Sequence, residues 1–383
     1  MNKLPSGWKI EKLENIALVE RGKFSVRPRN DPRYFGGNMP FVQTGDISSA
    51  KTYLTQYTQT LNEQGISVSK VFPKDTILIT IAANIGDTAI TTFDVACPDS
   101  VVAIQPYKDK ANVFWLKQVL ETKKAELDAQ STQNAQKNIN LQVLKPLIIK
   151  TPPLEEQIQI AETLSTWDNA IQTTEKLLEN SRRQKKALMQ RLLNGKDWEK
   201  VKLGNVADMS SGGTPKSNIA EYYNGDILWV SIADMTTQGK YITRTEKTIS
   251  KLGLENSSAK LYPENTILYA MYASIGECSI ATKPITSSQA ILGIRPKKEL
   301  HFEYLYFYLS SLKDKMKLQG QQGTQSNLNS RMVKEFDILL PSFEEQQKIA
   351  EILSTADQEI ETLQRKLECL KLEKGALMQR LLA

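Results

Sequence analysis

One histidine, His301, stands in a chain of 383 residues, and three cysteines are scattered at Cys97, Cys278 and Cys369. A lone histidine excludes two-histidine metal sites and a histidine-centred triad anywhere but around itself. It reads more simply as a loop or helix-start residue. Three cysteines, odd in number and without CxxC spacing, supply no disulfide framework and fit a reducing cytoplasm. No apolar run approaches the roughly 18–20 residues that span a bilayer, and MNKLPSGWKIEKL has no apolar signal core. The Walker A and GxGxxG glycine loops are missing, as is an NPPY- or DPPY-type tetrad. One nuclease-like pattern exists, Pro98-Asp99 followed by Glu121-Thr122-Lys123. Carboxylates and a lysine can hold Mg²⁺ and water, but this spacing is loose and the second half of the chain has no counterpart. The aromatic string HFEYLYFYL reads as helix core rather than as a platform for bases. A formal charge of +6 permits nucleic-acid binding without requiring it, because the electrostatic footprint is local.

What the chain has is a copy of itself. Residues 152–193 and 341–382 align without a gap at an offset of 189, with 23 of 42 positions identical. PPLEEQIQIAETLSTWDNAI answers PSFEEQQKIAEILSTADQEI, and both copies close on ALMQRLL. A repeat of this length sets the architecture before any single residue is interpreted. Its seam positions step by four and three throughout, apolar except at Thr174, Ser181, Lys185 and Lys374. The second copy gives Ile349, Leu353, Ala356, Ile360, Leu363, Leu367, Leu370, Lys374, Leu377 and Leu381. The first gives Ile160, Leu164, Trp167, Ile171, Thr174, Leu178, Ser181, Lys185, Leu188 and Leu192. A 3.5-residue period predicts a left-handed helix pair, each helix about 39 residues and roughly 58 Å long. Neither helix can leave its stripe in water, so the two are expected to pack on each other. The alternative packs each on its own half. Ser342 with Glu345 predicts a capping box, and the acidic first turns (Glu155, Glu156; Glu344, Glu345) suit the helix dipole.

The intervening sequence repeats more faintly. Residues 72–90 match 262–280, PFVQTGDI matches LWVSIADM, and QKNINLQVL matches QSNLNSRMV. TILIT, VVAI, ILWV and TILYA read as strands between turn residues, and residues 113–127 and 303–317 read as helices. The expected fold is α+β: two strand-rich globular domains joined by two long antiparallel coiled-coil-like helices, with an internal pseudo-twofold repeat. The expected boundaries are 1–151 and 195–340 for the domains, and 152–194 and 341–383 for the helices.

Local composition points to nucleic acid. Arg21, Lys23, Arg27, Arg29 and Arg33 fall within thirteen residues that hold one acid, Asp31, with Phe24, Tyr34 and Phe35 interleaved. Such a loop can meet phosphates, and arginine can read guanine edges. The competing reading is a solvated basic loop. Amide and hydroxyl groups cluster in TQNAQKNIN (Gln133, Gln136, Lys137, Asn138) and QGTQSNLN (Gln322, Thr324, Gln325, Ser326, Asn327). They either bond bases and phosphates or satisfy their own turns. Thr44, and Thr214, Lys216 and Ser217 in the polar turn GGTPKS, complete the candidate DNA contacts.

Over essentially its whole length the sequence resembles the specificity subunits of type I restriction-modification enzymes. The two EEQ-containing helix strings carry most of the resemblance, with ALMQRLLNGK, GWKIEKLENIA, DWEKVKLGNVADMSSGGTPKS and GTQSNLN beside them. The first half departs from GGTP, having RGKF. The resemblance implies two target-recognition domains, each reading one half of a split double-stranded DNA site, with the helix pair as spacer. It implies two modification subunits, adenine-N6 methyltransferases using S-adenosylmethionine, and two restriction/translocase subunits using ATP and Mg²⁺. This chain itself would need no cofactor or metal and catalyse nothing.

Overall fold

The computed structural model describes residues 4–131, 138–322 and 327–382, the side chains of 131 and 314–322 excepted. Its contacts divide the chain into two compact units, Met1–Thr173 with Leu367–Ala383, and Thr174–Lys366. Each unit therefore holds one globular domain, part of its own long helix, and part of the other.

In the first unit a five-stranded sheet runs in the order Ala17–Arg21, Val101–Pro106, Ile77–Thr80, Thr88–Thr91, Tyr53–Leu54. Its centre is buried on both faces, so the period-2 alternation sorts apolar residues between two cores. Ile77, Ile79, Val102 and Ile104 face the helix-bearing core with Trp115 and Leu120, whereas Leu78, Ala89, Val101 and Ala103 face a smaller core with Ile47 and Phe72. The pairings Ile104↔Ile77 and Val102↔Ile79 fix that register. A second sheet orders Gln59–Leu61, Phe35–Phe41, Val95–Ala96 and Val71–Phe72.

The second unit repeats the plan. Its five strands are Ala207–Ser211, Ile291–Pro296, Ile267–Ala270, Cys278–Ala281 and Tyr241–Ile242, beside a three-stranded sheet of Lys247–Ile249, Tyr223–Val230 and Thr286–Ser287. Helix Phe302–Gln322 buries Tyr304, Leu305 and Phe307 completely, so the aromatic string is core. His301 immediately precedes that helix.

The long helices are Leu154–Leu192 and Phe343–Leu382, 39 and 40 residues. Ahead of the second, Glu345 N–H donates to Ser342 Oγ at 3.3 Å, one half of the expected capping box. Every seam position is buried or half-buried: Ile160, Leu164, Leu178, Ile349 and Leu353 fully, Trp167, Ile171, Leu188, Leu192, Ile360, Leu363, Leu367, Leu370, Leu377 and Leu381 in part. Within the first unit Leu377, Leu381 and Leu382 pack into the core containing Ile160 and Leu164. Within the second, Leu188 and Leu192 pack into the core containing Ile349 and Leu353. Rising numbers on one helix meet falling numbers on the other, so each unit contains an antiparallel pair. Both packing readings hold at once: each seam faces its own domain near the helix start and the other helix beyond.

Among the described residues no helix is long and apolar enough to cross a membrane. Burial pushes the Cys97 thiol up to about 12 and raises Cys278 as well, while Cys369 is exposed on the second long helix. Because the thiolate is the reactive species, one thiol per native chain is expected to react with a disulfide reagent and three after denaturation. Thiol titration checks this; two fast native thiols would contradict the buried cores.

Candidate nucleic-acid interface

The basic segment of the first domain leaves its sheet at Gly22. The Gly22 N–H donates to Val101 O at 2.9 Å, and a Cβ there would lie 2.4 Å from Pro98 O. Gly212 does the same in the second domain: its N–H donates to Ile291 O at 3.0 Å, and a Cβ would lie 2.4 Å from Ser288 O. Both loops thus hinge on a glycine pressed against the turn that precedes a central strand. The departure of RGKF from GGTP hides this equivalence in the sequence.

Beyond Gly22 the aromatics turn inward. Phe24 is buried and packs on Phe35 and Phe41 with ring centroids 5.7 and 4.9 Å apart, and Tyr34 meets it edge-on at 6.3 Å. These rings are the loop's own small core, not a stacking surface. The cations are exposed but already engaged. Arg21 Nε donates to the Asp99 carbonyl oxygen (2.5 Å), and Arg27 Nη1 donates to Val26 O (2.8 Å) and Phe24 O (3.4 Å). Arg29 Nη2 reaches both Asp99 carboxylate oxygens at 2.8 and 2.9 Å. Arg33 pairs with Asp31 at 2.6 Å and its hydrogen bonds hold that carboxyl below its usual range, while Asp31 also caps the turn Pro32–Tyr34. Lys23 is exposed.

In the second domain Thr214 Oγ1 donates to the side-chain oxygen of Gln289. Trp229 Nε1 donates to Gly213 O at 2.9 Å and Tyr223 OH to Pro215 O at 2.7 Å. The loop is pinned through residue 215, leaving Lys216 and Ser217 exposed at its tip.

Thr44 is half-buried in the first turn of helix Thr44–Ser49. The matched strings around it cap equivalent helices: Asp46 Oδ2 accepts Gln43 N–H, and Asp234 Oδ2 accepts Ser231 N–H, both at 2.8 Å. Asn138 and Asn327 are exposed. In each amide-rich string the last asparagine satisfies its own turn, Asn140 accepting from Gln142 N–H (2.9 Å) and Asn329 from Met332 N–H (3.0 Å). Gln133, Gln136, Lys137, Thr324, Gln325 and Ser326, with the Gln322 side chain, lie outside the described residues. The nuclease-like residues take separate partners: Asp99 pairs with Arg29, Glu121 with the buried Lys117 at 2.7 Å, and Lys123 with Glu126 at 3.0 Å.

One further side chain holds each domain to its helix. Gln157 and Gln346, the glutamines of the two EEQ strings, are buried. Gln157 Nε2 donates to Lys110 O (3.0 Å) and Pro152 O (2.9 Å), and its Oε1 accepts Asn112 N–H (2.9 Å). Gln346 Nε2 donates to Glu299 O and Pro341 O (both 2.9 Å), and its Oε1 accepts His301 N–H (2.8 Å). The single histidine therefore serves through its backbone, while burial lowers its imidazole pKa.

A family model described as the type I restriction modification DNA specificity domain matches residues 5–180 and again 195–372. The MjaIX type I restriction enzyme specificity subunit of Methanocaldococcus jannaschii is 35% identical over 179 residues, covering 46% of this chain and 41% of that protein. A putative MjaX specificity subunit of the same organism is 25% identical over 415 residues, covering 100% and 94%. The crystal structure of a type I restriction-modification S subunit from M. genitalium superposes with a TM-score of 0.66 at 16% identity, covering 100% of this chain and 97% of that one. At that identity the likeness bears on fold alone.

Proposed function

The chain belongs to the type I restriction-modification DNA specificity family, and on that footing we propose that it is the non-catalytic DNA-recognition subunit of such a complex. Each globular domain reads one half of an asymmetric, bipartite site in double-stranded DNA. The helix pair sets the spacing and docks two adenine-N6 methyltransferase subunits and two restriction/translocase subunits. In this reading S-adenosylmethionine, ATP and Mg²⁺ belong to those partners.

The observation that carries the reading is the pair of glycine-hinged loops. Both leave the same strand position against the same turn, yet one presents arginines and the other a short polar tip. Equivalent scaffolds with unlike tips do one kind of work on two different targets, as direct readout by side chains requires.

Methylome sequencing of cells carrying the partner subunits, with and without this chain, tests it. The expected result is chain-dependent adenine methylation at a non-palindromic site of two fixed parts and an unspecified gap. A palindrome would overturn the division of labour, and methylation indifferent to the chain would leave an adaptor that binds proteins only. Inserting four residues into each long helix should change the preferred gap; an unchanged gap would sink the spacer role. For the first domain, Lys23→Ala with Arg29→Ala is the informative pair, since Arg27 ties down backbone carbonyls and its loss would disturb the loop itself. Loss of two phosphate contacts should flatten the salt dependence of binding by up to about 2 in the log–log slope.

A further inference from the structure

Both reading loops are fastened from one place. The turn before the central strand carries Asp99 in the first domain and Gln289 in the second, and each side chain reaches across to its loop. Asp99 takes Arg29 through both carboxylate oxygens, and Gln289 takes Thr214. The two latches occupy equivalent positions, because Gly22 bonds Val101 and Gly212 bonds Ile291, two residues beyond Asp99 and Gln289. They differ in charge. One is an ion pair whose partners are 50% and 37% exposed; the other is neutral.

We infer that Asp99 is a specificity-positioning residue of the first domain, holding Arg29 as a stand-in for a DNA phosphate until the loop docks. The inference rests on the reading of the loop as a DNA contact. Asp99 takes the guanidinium through Nη2 alone, shared between both carboxylate oxygens, so the side chain is held in place while Nε and Nη1 still carry donors that a phosphate can meet. An ion pair this exposed is weak, so a phosphate in a well-docked complex can take the arginine over. A phosphate met at random must first compete with Asp99, and the local positive charge it meets is smaller by one. Asp99 therefore penalises sequence-independent binding more than specific binding, in which the loop's other contacts offset the lost pair. Gln289 carries no charge and holds its loop without that discrimination.

The test uses the chain in complex with its methyltransferase subunits and compares binding to its methylation-site duplex and to a scrambled duplex over a salt series. Asp99→Asn keeps the shape and an acceptor oxygen but removes the charge. It is expected to raise affinity for the scrambled duplex about fivefold at low salt, to change site affinity less than twofold, and to steepen the scrambled-duplex salt slope by about 1. Asp99→Glu, which retains the charge, should keep the wild-type slope, and Gln289→Ala should leave it unmoved. In an Arg29→Gln background Asp99→Asn should act much more weakly, through the lost repulsion alone. An unchanged slope in Asp99→Asn, or the same change with Arg29 already replaced, would overturn the latch while Lys23→Ala still weakens binding. If Lys23→Ala, Arg29→Gln and Asp99→Asn all leave affinity and slope untouched, the loop does not meet DNA and the underlying reading fails with it.

Discussion

Replacing Gln346 by alanine should cost about 3 kcal/mol of stability, because it empties a fully buried amide site and leaves one peptide N–H and two carbonyls of a largely buried joint without their partner. The three partners are His301 N–H, Glu299 O and Pro341 O, each within 2.9 Å of the amide. With domain stabilities of about 5–15 kcal/mol, such a loss should lower the unfolding midpoint by roughly 10 °C. Gln157→Ala should act alike on the first unit through Asn112, Lys110 and Pro152. Gln346→Glu is the sharper variant. It keeps the acceptor but turns a second oxygen toward two carbonyl oxygens, so the carboxylate form is disfavoured in the folded state and its pKa there is raised. A raised folded pKa means the handicap is small below the unfolded value near 4.3 and grows as pH rises through the folded one. Thermal unfolding at pH 5 and pH 8 should therefore show a deeper deficit at pH 8. A midpoint for Gln346→Ala within 1 °C of the parent would show that the clamp contributes nothing.

The same glutamines mark where the sequence stops being readable. The seam of each long helix was legible because a single periodicity, four and three, records burial along one face. TILIT, VVAI, ILWV and TILYA are legible as strands because the residues in the centre of each meet one of the two cores on either side of it. Gln157 and Gln346 lay inside the most repeated string without revealing a role, since their partners are backbone groups whose position depends on the folded domain, 45 to 47 residues away for the farther contacts. The basic loop shows the same limit from the other side. Counting its charges identified an exposed basic segment, but not that Asp99, 70 residues on, holds Arg29, nor that Phe24 is core. Asp99 was visible only as half of a metal-binding pattern, a chemistry its arginine partner does not support. Composition reports which groups are present; which of them are already taken is a property of long-range contacts.

Reversing Lys374 to glutamate should likewise cost about 3 kcal/mol, within the range for breaking a substantially buried ion pair. Lys374 Nζ lies 2.5 Å from Asp168 Oδ1, with side chains 14% and 21% exposed. The repeat reproduces the pair with its partners exchanged between helices: Lys185 and Asp357, offset by 189 from Lys374 and Asp168, bond within the second unit. Lys374 is the polar residue of its seam, Lys185 joins Thr174 and Ser181 in the other, and each lysine finds its acid on the opposite helix. Polar seam residues of this kind select orientation and register more than they add stability. A slip of one heptad would bury each lysine without its aspartate. Lys374→Glu combined with Asp168→Lys should recover about half of the loss: attraction returns, but Thr52 Oγ1 and Gln118 Nε2, which donate to Asp168 at 3.0 and 3.2 Å, lose their acceptor. The double-mutant cycle in urea unfolding should give a coupling of at least about 1 kcal/mol. Strict additivity would mean that the pair is incidental and that leucine packing alone fixes the register. Substitution of both lysines by leucine together with both aspartates by asparagine separates stability from register: with no charge left unpaired it should leave the unfolding midpoint level or higher while allowing mixed helix pairings, visible as heterogeneous oligomers in size-exclusion chromatography with light scattering. A single species at the parent mass would assign the register wholly to the apolar seam.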